Sequence, residues 1–304
     1  MFWNILFFVG ILFNFGHADR IKHVVVLMLE NRAFDHMLGF SSLGVDGLTG
    51  KEFNLVNTSD PNSTKVYVQA NSPYVGECDP CHGVPCTTEK IFGKADPAHD
   101  HPTMDGFAEY QSSEEEKDFC GVLNMFTEDR VPIISTLARE YAVFDKFFAS
   151  VPGPTFPNRL FCLSGTSAGL TDTSVMFNNT IKLFLQRTIF DQFADSGREW
   201  RLYFHDLPWE VILERLLLPE NLLRLKTMKT FYEDAEKGTL PAFSWINPRL
   251  FIDITTGDGS NDQHPDHVRT RKKHCPTPTY TYTHPDTRTH TRHALFLLLA
   301  RAGR

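Results

Sequence analysis

Residues 21–29 (IKHVVVLML) constrain the fold more than any other stretch of this chain. Nine residues dominated by Val and Leu, with no turn former among them, predict a strand buried on both faces. Such strands belong to parallel sheets covered by helices on both sides. The rest of residues 21–250 follows suit. Helices are expected at 32–38, 132–139, 157–164, 180–194, roughly 208–228 and 230–237. Further strands are expected at 141–149, 199–204 and 242–246, and residues 41–130 read as loop. Strands alternating with helices predict an α/β sandwich around a mainly parallel sheet.

Composition sets the outer bounds. With 41% apolar and 22% charged residues, the 304-residue chain is no fibrous repeat, disordered polymer or multi-span membrane protein. Its formal charge of −7 argues against a nucleic-acid partner. The 26 Phe residues suit either an aromatic core or an apolar substrate cleft. Residues 2–15 are nearly all apolar but short for a membrane span, and Gly16-His17-Ala18 presents small residues where a signal peptidase cuts. Residues 1–18 therefore read as a signal peptide and the protein as secreted. Acceptor patterns for glycosylation at Asn57, Asn62 and Asn178 agree. Cys78, Cys81, His82 and Cys86 could form half a zinc site, but export favours disulfides, with connectivity open. Leaving Cys275 aside, five cysteines remain, an odd number that allows one free, buried Cys162.

The character changes after His267. Residues 268–304 hold eight Lys or Arg and one acid, against a balance of −14 in the first 267. Within them PTPTYTYTHPDTRTHTRH has no apolar period, so the tail is expected to be unstructured. Thr-His alternation is also what a CA-dinucleotide repeat encodes, which points to a non-coding or frame-shifted origin. The folded domain is thus expected to occupy residues 19–267.

Three groups of residues could carry chemistry. Glu30-Asn31 follows the first strand, where open α/β sheets place their ligands, and offers hard oxygen donors for a divalent cation. Pro152-Gly153-Pro154-Thr155-Phe156-Pro157-Asn158-Arg159 follows the expected 141–149 strand. Pro157 is suited to the first helical position, placing the Thr155 hydroxyl at a helix N-terminus that favours an anion. Asn158 could donate to a phosphate oxygen, and Arg159 could pair with phosphate or a carboxylate. Two polar loops dense in Asp and His, around His99 and His264, could supply acid–base groups.

Taken together, VVVLMLENRAFDHMLGF, the DPAH segment, FFASVPGPTFPNRLFCLSGTSAG and INPR with NDQHPDH resemble the phosphoesterase family. That family contains the plant and bacterial non-specific phospholipases C and a related acid phosphatase. The resemblance covers roughly residues 21–267. It implies an alkaline-phosphatase-like α/β/α sandwich, incomplete at its C-terminal end, and hydrolysis of phosphate esters. By the same resemblance Thr155 becomes the nucleophile, passing through a phosphothreonine. Glu30 and Asn31 become ligands of a divalent metal of unstated identity, while His99 and His264 line the phosphate. Asn158 is a further phosphate contact. The substrate would be a phosphate ester or phospholipid, reached by peripheral contact with a membrane. Thr155 and the PNRLF after it point to the phospholipase branch.

Family members carry a later Asp-Glu-His-Gly-Gly motif whose acids complete the metal site. This sequence has no such motif. The expected alternative is therefore an inactive fragment or a non-catalytic secreted protein.

Overall fold

The computed structural model describes residues 21–76, 79–93, 101–113, 117–173, 183–250 and 260–264, and the backbone of 292–298. Its centre is a five-stranded parallel sheet in the order β5-β4-β6-β1-β7. The strands are β1 (Ile21–Met28), β4 (Trp200–Phe204), β5 (Leu225–Thr227), β6 (Phe243–Asn247) and β7 (Arg292–Leu298). A small antiparallel pair, β2 (Phe53–Leu55) and β3 (Lys65–Tyr67), stands apart.

Side chains alternate across the sheet as a pleat requires. Val24 and Val26 of β1, Trp200 and Leu202 of β4, and Phe243 and Trp245 of β6 face one layer. There they meet Phe156, Leu160 and Leu163 of α5 (Thr155–Ser164) and Phe190 of α6 (Ile189–Asp195). Val25 and Leu27, Tyr203, and Ile246 face the opposite layer, against Met228 and Phe231 of α8 (Met228–Lys237). Helices on both faces make this the expected α/β/α arrangement. β6 is buried at every residue, as a central strand should be.

The remaining helices are α1 (Phe34–Leu38), α2 (Val84–Phe92), α3 (Gly106–Ser113), α4 (Pro132–Glu140) and α7 (Pro219–Leu222). The chain between residues 41 and 130 is thus more ordered than its loop-like composition predicts. The expected helix over 208–228 is broken by Pro208 and Pro219 into two 3-10 turns and α7, and its end becomes β5. Residues 141–149 form no strand. Their aromatic content fits a pleated, half-buried surface, but among the described residues they form no strand beyond a single bridge at Phe148, and the place beside β1 is taken by β7. Tyr141, Phe144, Phe147 and Phe148 stand exposed in consequence. β7 is itself a departure, because it lies within the tail expected to be unstructured. Its sequence, RHALFLL, is an apolar run beyond the Thr-rich repeat, and that is what a strand beside β1 needs.

α1 and α4 share a satellite core with Phe126. His36 belongs to α1, and its carbonyl accepts from Phe126 N–H at 2.8 Å. Burial first, then the neighbouring Arg32 guanidinium, push the His36 imidazole down to about 4. The unfolded ring protonates near pH 6.5 and the folded one does not, so stability falls as pH drops from 6.5 towards 4. The loss should reach about 3 kcal/mol. Urea unfolding at pH 7 and pH 4.5 should show a smaller pH-dependent drop in His36→Gln; equal drops would refute the assignment.

Candidate functional site

The carboxyl ends of β1, β4 and β6 open on one side of the sheet, the edge where α/β folds assemble their sites. Glu30 leaves β1 there, and Asn31 follows it in the turn, half-buried. Thr155 opens α5, with Pro154 as the capping residue. The amides of Thr155 and Phe156 have no intrahelical acceptor, so they and the helix dipole favour an anion beside the Thr155 hydroxyl. Pro157 sits in this first turn, two residues later than expected.

Four contacts draw distant segments to this place. Gln263 N–H donates to the Glu30 carbonyl at 2.6 Å, laying residues 260–264 over the end of β1. The His264 and His82 rings meet edge to face, with centroids 6.3 Å apart. Gly153 lies so close to Val84 that a Cβ would approach its Cγ2 to 2.6 Å, so the turn before Thr155 abuts the segment after His82. Arg159, one helical turn beyond Thr155, donates through Nη2 and Nε to Glu30 Oε1 at 3.1 and 3.3 Å. Glu30, His82, Thr155 and His264 are thereby gathered from four separate stretches of chain.

Sequence alone places His82 only in a zinc half-site, whereas the structure sets its ring against His264. Asp79-Pro80-Cys81-His82 repeats the spacing of Asp96-Pro97-Ala98-His99, and the second copy drew the attention. His99 lies outside the described residues, whereas His82 stands against His264. The Cys81–Cys86 disulfide brackets His82, and Lys90 Nζ donates to the Cys81 carbonyl at 2.7 Å. That disulfide also removes two thiols from the zinc half-site. Cys120 is disulfide-bonded too, and Cys162 is free but exposed rather than buried.

Both histidines are held by their Nδ1 side. His82 Nδ1 lies 3.0 Å from the Pro80 carbonyl and 3.4 Å from Asp79 Oδ1. His264 Nδ1 is bonded to the fully buried Asp262, whose other oxygen accepts the His264 amide at 3.2 Å. The hydrogen bond to Asp79 is the main cause that holds His82 above the ordinary imidazole value, and Glu30 adds to it. Burial alone would lower His264, but Asp262, Glu30 and Asp79 reverse this and hold it raised as well. Two rings biased towards imidazolium suit proton donation to a leaving oxygen.

Beneath them lies a buried polar network. Arg159 Nη1 donates to Glu210 Oε1 at 3.1 Å and to Asn247 Oδ1 at 2.9 Å. Trp245 Nε1 donates to the same Glu210 oxygen at 2.8 Å, and Asn247 Nδ2 donates to Glu210 Oε2 at 2.5 Å. Arg159 therefore pairs with carboxylates rather than offering itself to phosphate. Asn158 also differs from its expected part, because its carboxamide bonds to the backbone of residues 151–154.

A model of the phosphoesterase family matches residues 21–297. The chain belongs to the phosphoesterase family. It is 38% identical over 252 residues to non-specific phospholipase C1 of Arabidopsis thaliana, covering 81% of this chain and 46% of that protein. Non-specific phospholipase C6 of the same plant is 36% identical over the same shares. The non-hemolytic phospholipase C of Pseudomonas aeruginosa is 27% identical, over 76% of this chain and 35% of that protein. This phosphoesterase spans about half the length of the curated plant relatives it matches.

The divalent cation implied by the sequence can be tested against the donors present. Among the described residues, no three acid, His or Cys side chains gather as a metal site would require. Asn31 and Glu30 offer oxygen, but Glu30 Oε1 already receives Arg159. A hard cation takes roughly six oxygen ligands. The described donor set does not fit a complete cation site, and no chemical step is assigned to one here.

Proposed function

We propose that this phosphoesterase is a secreted phospholipase C-type hydrolase that cleaves phosphodiesters through a phosphothreonine at Thr155. The observation that carries this reading is that the turn before Thr155 abuts the segment after His82, while the His82 ring meets His264. The Thr155 oxygen attacks phosphorus, and its proton passes to whichever imidazole is neutral. The first-turn amides of α5 hold the developing charge on the non-bridging oxygens. The other imidazole, protonated, gives its proton to the departing alcohol. Water then hydrolyses the phosphothreonine and restores the hydroxyl. Glu30 keeps both rings charged-prone through its field, and any divalent ion would need donors beyond Glu30 and Asn31.

The relatives named phospholipase C support a phospholipid over a small phosphate ester. So does the exposed row of Tyr141, Phe144, Phe147 and Phe148, which runs into the turn before Thr155. Aromatic side chains of this kind suit a membrane interface, and we assign peripheral lipid contact to them. Asn57 and Asn62 are exposed, as glycan acceptors must be. Among the described residues no helix is long and apolar enough to cross a membrane.

The test is turnover of a chromogenic phosphodiester, with and without added divalent ions, by wild type, His82→Gln and His99→Gln. His82→Gln should lower kcat by at least about 100-fold, and by more than His99→Gln does. The reverse order would return the role to His99. The sparse donor set favours one other reading, a non-catalytic secreted protein. Absence of turnover from folded protein under every metal condition would select it.

A further inference from the structure

We propose that Asn158 is a positioning residue for Thr155, acting through the shape of the 151–154 turn. The proposal rests on the reading of Thr155 as nucleophile. The Asn158 Oδ1 accepts the Val151 N–H at 3.0 Å. Its Nδ2 lies 3.1 Å from each of the Val151, Gly153 and Pro154 carbonyls. A carboxamide has two N–H donors, and three carbonyls already share them. None is left for a phosphate oxygen.

The turn needs this outside support because its own sequence denies it backbone bonds. Pro152 and Pro154 have no N–H. Within the turn, the Gly153 amide to the Val151 carbonyl, at 2.8 Å, is the bond that closes it. The Asn158 side chain supplies what two prolines withhold. Its bond to the Pro154 carbonyl matters most for the chemistry. The peptide unit between Pro154 and Thr155 is planar, so fixing that carbonyl also fixes the direction of the Thr155 N–H and the start of α5. The Thr155 hydroxyl then stands on a platform set before substrate arrives. The close fit of Gly153 against Val84 makes the same turn the neighbour of the His82 segment. A shift of the turn would therefore move Thr155 relative to the proton donor as well.

The experiment compares wild type, Asn158→Ala, Asn158→Ser and Thr155→Ala. Two readouts are used: turnover of a chromogenic phosphodiester, and ligand-free hydrogen exchange of amides in residues 151–156. Asn158→Ala should lower kcat about 10- to 100-fold and speed exchange of the turn amides with no ligand present. Asn158→Ser, which keeps one donor, should fall between it and wild type, and serves if the Ala variant does not fold. Unchanged exchange together with weaker inhibition by inorganic phosphate would overturn the proposal in favour of a direct phosphate contact. Unchanged kcat in Asn158→Ala, with Thr155→Ala inactive, would overturn it while leaving the nucleophile in place. Turnover surviving in Thr155→Ala would remove the nucleophile and this proposal together. The exchange readout needs no turnover, so unchanged turn amides refute the proposal even in an inactive chain.

Discussion

Thr155→Ala should lower phosphodiester turnover by about a thousand-fold or more, with the unfolding midpoint little changed. Loss of a nucleophile removes the covalent route entirely, and what remains is binding and charge stabilisation around an ordinary water attack. The side chain is half-buried at the first position of α5, and its methyl is not part of the core packed by Phe156 and Leu160. Truncation therefore leaves little cavity. Thr155→Ser keeps a hydroxyl and should retain a measurable part of the rate. Acid quenching during turnover should trap phosphate on residue 155, read by mass spectrometry of the tryptic peptide. Phosphate trapped elsewhere, or full activity in the Ala variant, would sink the phosphothreonine route.

Arg159→Met should cost about 3–5 kcal/mol of stability. The guanidinium is almost wholly buried between Glu30 and Glu210, with Asn247 completing its shell. Removing it leaves two carboxylates facing each other at the head of the sheet without a cation. Arg159→Lys keeps the charge but loses the fork that reaches both acids, so it should recover part of the loss. A deficit below about 1 kcal/mol in urea unfolding at pH 7, or no recovery in Arg159→Lys, would show that the network does not depend on this cation.

The parts of the fold that could be read from sequence are those where one signal dominates. β1, β4 and β6 are dominated by β-branched, aromatic and other apolar residues, and α4 and α5 begin beside prolines that fit a first helical turn. The parts that could not be read depend on what a segment meets in space. Residues 141–149 have a strand's composition but form only a single bridge at Phe148 among the described residues, while Leu225–Thr227 has a helix-like neighbourhood but finds β4. The site divides along the same line. Glu30, Thr155 and His264 follow from position after a strand, at a helix start and in an Asp-rich loop. The place of His82 could not be read because its contact with His264 joins segments far apart in sequence. The partners of Asn158 were invisible because all four are backbone atoms of a turn whose shape only the folded chain defines.

The position of β1 has a consequence for how this chain is made. Its two sheet neighbours, β6 and β7, pair with it from residues 243–246 and 292–298. β1 leaves the ribosome before either partner, because the residues that pair with it lie far later in the sequence. At a synthesis rate of about 5–20 residues per second, β1 waits roughly ten to forty seconds before β6 exists. Throughout that interval the Val-Val-Val-Leu run is unpaired and apolar, a template for any strand that arrives first. Parallel pairing across more than two hundred residues also makes closure of the sheet slow once both partners have been made. The feature that most constrains the native fold is therefore the segment most in need of a chaperone during its birth.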